Sequence, residues 1–206
     1  MAPSEQLPGS SPFRTKGVAY QGLFESFDAR VPGGARGAIA LLPRETQTFF
    51  DQPFLAGSMY DILPLLELSR QGALLCDVSW REFVREGARR QADRDTRGVY
   101  RFMLRVASPK LVVERLPRVM VQYFDFGDVS GEHDPEGRLR YEASVRDLPE
   151  PVAPWLSAVG EGFIPVVMER AGARDVSVLV HPSRPCGVRA GVRLLEARFA
   201  VKWAAR

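Results

Sequence analysis

The chain has 206 residues, 45% hydrophobic and 26% charged, with a net charge of +3, which suffices for one domain of ordinary size or two small lobes sharing a core. No apolar run approaches the ~20 residues of a membrane span, no apolar core follows a basic start as in a secretory signal, and Cys76 and Cys186 are too few for a disulfide framework or a thiolate metal site. A soluble, cytoplasmic protein is expected. The basic residues are three lysines and 25 arginines, but with abundant Ala, Gly and Val this is what a GC-rich genome writes, so the arginines do not point to nucleic acid.

Residues 1–15 read as a flexible lead-in, because the first twelve are rich in Pro, Ser and Gly with little to bury. Tyr20, Leu23, Phe24, Phe27 and Val31 then recur at helical spacing, and the helix stops before Pro32-Gly33-Gly34. That glycine pair lacks the ending of a phosphate-binding loop and reads as a turn. Residues 34–42 and 45–50 are expected as short helices, and Ser58 as the cap of a longer one carrying Met59, Ile62, Leu63 and Leu66 through Pro64. Ser79-Trp80-Arg81-Glu82 is a capping box, so a helix begins at Trp80. Trp80, Phe83, Val84 and Ala88 mark its buried side. Its polar face interleaves glutamates with arginines, as a solvated, ion-paired surface does and a phosphate-tracking stripe does not. A further helix is expected at 99–106.

Ser108 and Pro109 open the next helix as N-cap and first helical residue. Val112, Leu116, Val119, Met120 and Tyr123 give it an apolar stripe, so it is expected to be central, bent at Pro117, with Arg115 and Arg118 wet. After Asp128 the period becomes two. Leu139, Tyr141, Ala143 and Val145 alternate with polar residues behind a turn cluster that contains His133 as a loop residue. Residues 151–171 return to helical spacing and stop at Gly172, and 176–180 and 192–203 are strands joined by a loop. Phe199, Val201 and Trp203 are expected to face the core. The fold class is α+β, a helical lobe (16–126) followed by a β-β-α-β-β lobe (127–206) with a four-stranded antiparallel sheet, in one continuous globular unit.

No catalytic constellation or metal-ligand cluster stands out, and His133 and His181 lie far apart in sequence. The block KGVAYQGLFESF, the segment SPKLVVERLPRVMVQYFDFG and the final β-β-α-β-β part resemble a large paralogous family of uncharacterised myxobacterial proteins over about 16–203. More distantly, the same run is similar to the heme-nitric oxide/oxygen binding domain and to the vinyl-reductase-like small-molecule binding domain. The heme family's pattern implies a proximal histidine on the helix ahead of the sheet and a Tyr-x-Ser-x-Arg strand that holds the propionates. Ser144 and Arg146 match the end of that motif, but Glu142 stands at the tyrosine position, and Tyr141 falls one residue off, on the opposite face of a strand. The helix at 110–126 has no histidine, and Tyr123 in it could ligate iron in principle, as tyrosine does in some heme proteins.

These readings give a non-enzymatic sensory or regulatory module that binds a small apolar molecule or a protein partner. Phe102, Met103, Leu116 and Met120 are expected at its pocket, with no cofactor, no metal, neither membrane nor nucleic acid as partner, and a homodimer left open. The alternatives are a heme or tetrapyrrole sensor, for which Tyr123, Ser144 and Arg146 are the cofactor-binding candidates, and an enzyme of unrecognised class.

Overall fold

The computed structural model describes residues 7–97 and 108–205. Strand β1 (Arg14–Lys16) leads into helix α1 (Gly17–Arg30), followed by α2 (Gly34–Ile39), α3 (Arg44–Phe50), β2 (Met59–Asp61), α4 (Leu63–Leu75), α5 (Trp80–Arg97) and α6 (Pro109–Tyr123). Then come β3 (Asp128–His133), β4 (Arg140–Pro149), α7 (Ala153–Arg170), β5 (Arg174–Val180), β6 (Arg184–Arg189) and β7 (Val192–Ala204). The class is α+β with an antiparallel sheet, as expected. Several boundaries follow their local signals. Ser79 Oγ accepts from the Glu82 amide at the start of α5, Ser108 Oγ accepts from Leu111 at the start of α6, and Gly172, with φ +96°, ends α7.

The sheet is five-stranded in the order β3-β4-β7-β5, with β6 also pairing with β7. This corrects the expected count of four. β7 is long enough to receive β4 along one edge, and β5 and β6 one after the other along the other edge. Phe199, Val201 and Trp203 are buried on it, as their alternation requires. Bulges interrupt β4 between Val145 and Leu148 and β5 between Arg174 and Ser177. Asp147 and Asp175 sit at those points with φ of 54° and 50°, a left-handed conformation that aspartate tolerates better than most residues.

The first half is not all helix. Residues 59–61, expected inside a helix capped by Ser58, form β2 and pair antiparallel with β1. Helix α4 starts only at Leu63, next to Pro64. Asp61 makes this junction: its carboxylate accepts from the amides of Leu63 at 2.9 Å, Gly9 at 2.9 Å and Ser11 at 3.2 Å. Burial pushes the Asp61 carboxyl above the ordinary range, while the three amides pull it back. Phe13 is fully buried on the same junction and Thr15 is buried as well, whereas Gly9 and Ser10, in the lead-in expected to be flexible, are exposed. Tyr20 is also fully buried, stacked on Phe54 at 4.2 Å, with its hydroxyl donating to the Asp61 carbonyl.

Helix α6, expected to be central, buries only Val112 and Val113. Arg115 and Arg118 are exposed, and the helix continues through Pro117. The helix expected at 99–106 lies outside the described residues. On α5, Arg81 is ion-paired with Glu161, Arg90 with Glu86 at 3.1 Å and Arg94 with Glu25 at 2.5 Å, which fits the solvated face read from the sequence.

Helices α5 and α7 pack closely enough to need a glycine. A methyl group on Gly162 would overlap the Arg85 carbonyl oxygen and press on the Ala88 side chain, whereas one on Gly160 would make ordinary contacts with Ile164 and Phe199. Alanine gains about 1 kcal/mol over glycine in a helix interior, but an unrelieved clash with backbone costs about 1–3 kcal/mol. Gly162→Ala is therefore expected to lower the stability measured by urea unfolding, and Gly160→Ala to leave it unchanged or raise it by up to about 1 kcal/mol.

Candidate ligand cavity

A cavity of about 260 Å³ lies between the helices and the sheet, just below the ~300–1,000 Å³ common for small-molecule sites. On the helical side it is walled by α1 (Ala19, Gly22, Leu23, Ser26), α4 (Leu65, Ser69) and α5 (Phe83, Val84, Gly87, Ala88, Gln91, Asp95). The opposite wall is α6 (Leu116, Met120, Tyr123), the sheet (Val129, Tyr141, Ala143, Val145, Phe199, Val201) and α7 (Trp155, Val159, Phe163). Gly87 carries no side chain, and Ala19 and Ala88 only a methyl, so α1 and α5 leave space that larger residues would fill, whereas a methyl on Gly22 would meet the Gln91 amide oxygen.

Strand geometry decides which residues of β4 reach this space. Tyr141, Ala143 and Val145 point to the cavity face, and residues one step along point the other way. Gly131 on β3 leaves room for the Tyr141 ring to lie across it. The Tyr141 hydroxyl is pushed above its ordinary range by burial and by Glu114 beside it, so it stays protonated.

The polar side chains in the wall are few. Ser69 Oγ accepts from Trp80 Nε1 at 2.7 Å and donates to the Leu66 carbonyl at 2.7 Å, so its capacity is used inside the fold. Ser26 is 7% exposed and its Oγ has no hydrogen-bond partner. Gln91 Nε2 donates to Asp95 Oδ1 at 2.7 Å, and Gln91 Oε1 accepts from Arg94 at 2.6 Å. Burial pushes the Asp95 carboxyl above the ordinary carboxylate range, against the pull of Gln91 and Arg94.

Three of the sequence-derived site residues reach the cavity wall: Leu116, Met120 and Tyr123, all half-buried on α6. Ser144 and Arg146 do not. They lie on the other face of β4, where Ser144 Oγ donates to Glu196 Oε1 at 3.0 Å and Arg198 Nε donates to the same oxygen at 3.2 Å. Arg146 is exposed. Phe102 and Met103 lie outside the described residues. Sequence reading did not find Ser26, Gln91 and Asp95, which sit one helical turn or more apart on two separate helices and carry no local signature. Nor did it place His133, read as a loop residue. The structure has it at the end of β3, Nε2 at 2.8 Å from Glu114 on α6 and its ring 5.1 Å from that of Tyr141.

An iron porphyrin needs an axial donor and cationic partners for its propionates. Among the described residues that line the cavity there is no His, Cys, Lys or Arg, and the residues matching the family's propionate strand lie on the wrong face. Tyr123, Tyr141 and Met120 are the wall residues whose type permits iron ligation. The described wall therefore does not fit heme. Nor do three or more His, Cys, Asp or Glu side chains converge as metal ligands among the described residues.

No protein-family model matches the chain, and no curated protein matches it in sequence. Solved structures do. The chain is similar to an H-NOX protein from S. oneidensis in its Fe(II)NO ligation state, at TM-score 0.63 and 10% identity over 92% of this chain and 99% of that one. It is similar to the Fe(II) unliganded H-NOX protein from K. algicida at TM-score 0.61 and 11% identity, over 93% and 97% of the two chains. For a point mutant of the T. tengcongensis H-NOX the values are TM-score 0.59 and 11% identity, over 91% and 94%. At such identities the likeness is one of fold, over nearly the whole length of both chains.

Proposed function

We propose that this chain is a non-enzymatic sensory or regulatory module that holds a small apolar molecule in the cavity between its helices and its sheet. The observation that carries this reading is the cavity wall, built from aliphatic and aromatic side chains of five helices and the sheet with a few polar groups at defined points. A site of this kind binds mainly by removing apolar surface from water, at roughly 25 cal/mol per Å². The likeness in fold to H-NOX proteins supports a second reading, a heme or tetrapyrrole sensor. Against it stand the composition of the wall and the orientation of Ser144 and Arg146.

Two titrations separate the readings. Nile red, a neutral apolar dye, is expected to bind the purified full chain one to one, and Ala143→Phe, which fills the cavity from β4, is expected to weaken it at least about tenfold, the equivalent of ~1.4 kcal/mol. Undiminished binding to that variant would place the dye elsewhere and reject the cavity. Heme added to the same protein is expected to give no stoichiometric Soret band, and Tyr123→Phe to change nothing in the spectrum. A one-to-one Soret band that Tyr123→Phe abolishes would establish the heme reading in its place.

A further inference from the structure

Most of the polar capacity of the helical wall is spent inside the fold. Ser69 Oγ both accepts from Trp80 and donates to the Leu66 carbonyl, and the Gln91 amide donates to Asp95 and accepts from Arg94. Ser26 differs. Of the buried side-chain polar atoms left without a hydrogen bond among the described residues, Ser26 Oγ is the one that belongs to the cavity wall, and the residue is only 7% exposed. A serine inside a helix can turn its hydroxyl back to the carbonyl four residues earlier. For Ser26 that carbonyl is Gly22, which accepts from Arg94 Nη2 at 3.4 Å instead. Across from it on α5 stands Gly87, where even an added methyl carbon would lie 3.9 Å from Ser26 Oγ, so that no side chain covers the hydroxyl from that position.

We infer that Ser26 is the hydrogen-bonding point of the cavity, and that its occupant is an uncharged, mostly apolar molecule whose polar group is an acceptor oxygen, a carbonyl or an ether, that takes the Ser26 hydroxyl proton. This rests on the reading of the cavity as a ligand site and narrows the class of ligand. A plain hydrocarbon would leave the buried hydroxyl unpaired, whereas an acceptor completes it in a place where water does not compete. A carboxylate is a poor occupant, because no Lys or Arg stands among the described lining residues and one hydroxyl does not replace the hydration of an anion. An alcohol brings a proton of its own, which Ser69 Oγ, already fully engaged, is not free to receive. An apolar cavity of about 150 Å³ takes benzene, so the volume of about 260 Å³ here suits a ring with a short substituent.

The test displaces Nile red from the full chain with propiophenone and with propylbenzene, which differ by a carbonyl in place of a methylene, and with phenylacetate, an anion of similar size. Nile red also carries a carbonyl, so its own affinity is measured in each variant and the probe affinities are corrected for it. Ser26→Ala is expected to weaken propiophenone about fivefold, the effect of one neutral hydrogen bond, and to leave propylbenzene within about twofold of its original affinity. In the unaltered protein phenylacetate is expected to bind at least about tenfold more weakly than propiophenone. The carbonyl stretch of bound propiophenone should lie at lower frequency in the unaltered protein than in Ser26→Ala. An equal loss for both neutral probes, which would report a change of shape, overturns the inference. So does an unchanged propiophenone affinity or carbonyl frequency, a failure of propiophenone to displace the dye, or phenylacetate binding as tightly as the ketone. Each of these outcomes leaves the cavity reading intact. If Nile red itself does not bind, the cavity reading fails and this inference with it.

Discussion

The contact on which the arrangement of the molecule depends is the close approach of α5 and α7 at Gly162. Helix α7 lies on the sheet with Leu156, Val167 and Met168 buried, and α5 buries Phe83, Val84, Ala88 and Ala92 among the helices and against α7. Where they meet, the Arg85 carbonyl and the Ala88 methyl take up the space a side chain on Gly162 would need. The helical half and the sheet half are therefore held together by backbone approach as well as by interdigitated side chains. Interiors packed in this way do not deform gradually, so the spacing between the halves is set within narrow limits.

That spacing accounts for the cavity. With α5 fixed against α7, the other elements have to close the remaining volume, and they do so incompletely. Helix α6 buries only Val112 and Val113, and its Leu116, Met120 and Tyr123 side chains border the space without filling it. On the far side, Gly87 leaves out a side chain on the line where α1 and α5 run together. Void adjoining close-packed helices forfeits dispersion contacts along its whole lining. A fold retains such a defect at a cost in stability, which an occupant that restores the contacts would offset.

The parts of this structure legible in the sequence were those with a local cause. The serine caps at Ser79 and Ser108, the glycine stop at Gly172 and the period-two pattern at Tyr141, Ala143 and Val145 each act over a few residues and were readable as such. β2 was missed because three residues cannot show a period, and because Met59 and Ile62 also suit a helix that in fact starts at Leu63. What decides between them is Asp61, whose carboxylate partners lie as far away as Gly9. β6 was missed for another reason: all but one of its residues are exposed, so no alternation is imprinted on Arg184–Arg189. The site was legible only on α6. The packing of α1 on α5 brings Ser26 beside Gly87 and Gly22 beside Gln91, which no short-range pattern announces.

The same logic separates fold from cofactor. A strand motif keeps its chemistry only if its residues stay on the same face, and a shift of one residue sends every side chain to the other side. Here β4 presents Tyr141, Ala143 and Val145 to the cavity and gives Ser144 to Glu196 on the outer face. A single substitution could place a histidine on α6, but none could turn Ser144 and Arg146 inward, because β4 is held in register by β7 from Arg140 to Val145 and by β3 from Tyr141 to Arg146. The backbone arrangement shared with H-NOX proteins is thus carried by a chain whose inner surface is built for apolar contact, with its polar chemistry on the α1–α5 line rather than on the sheet.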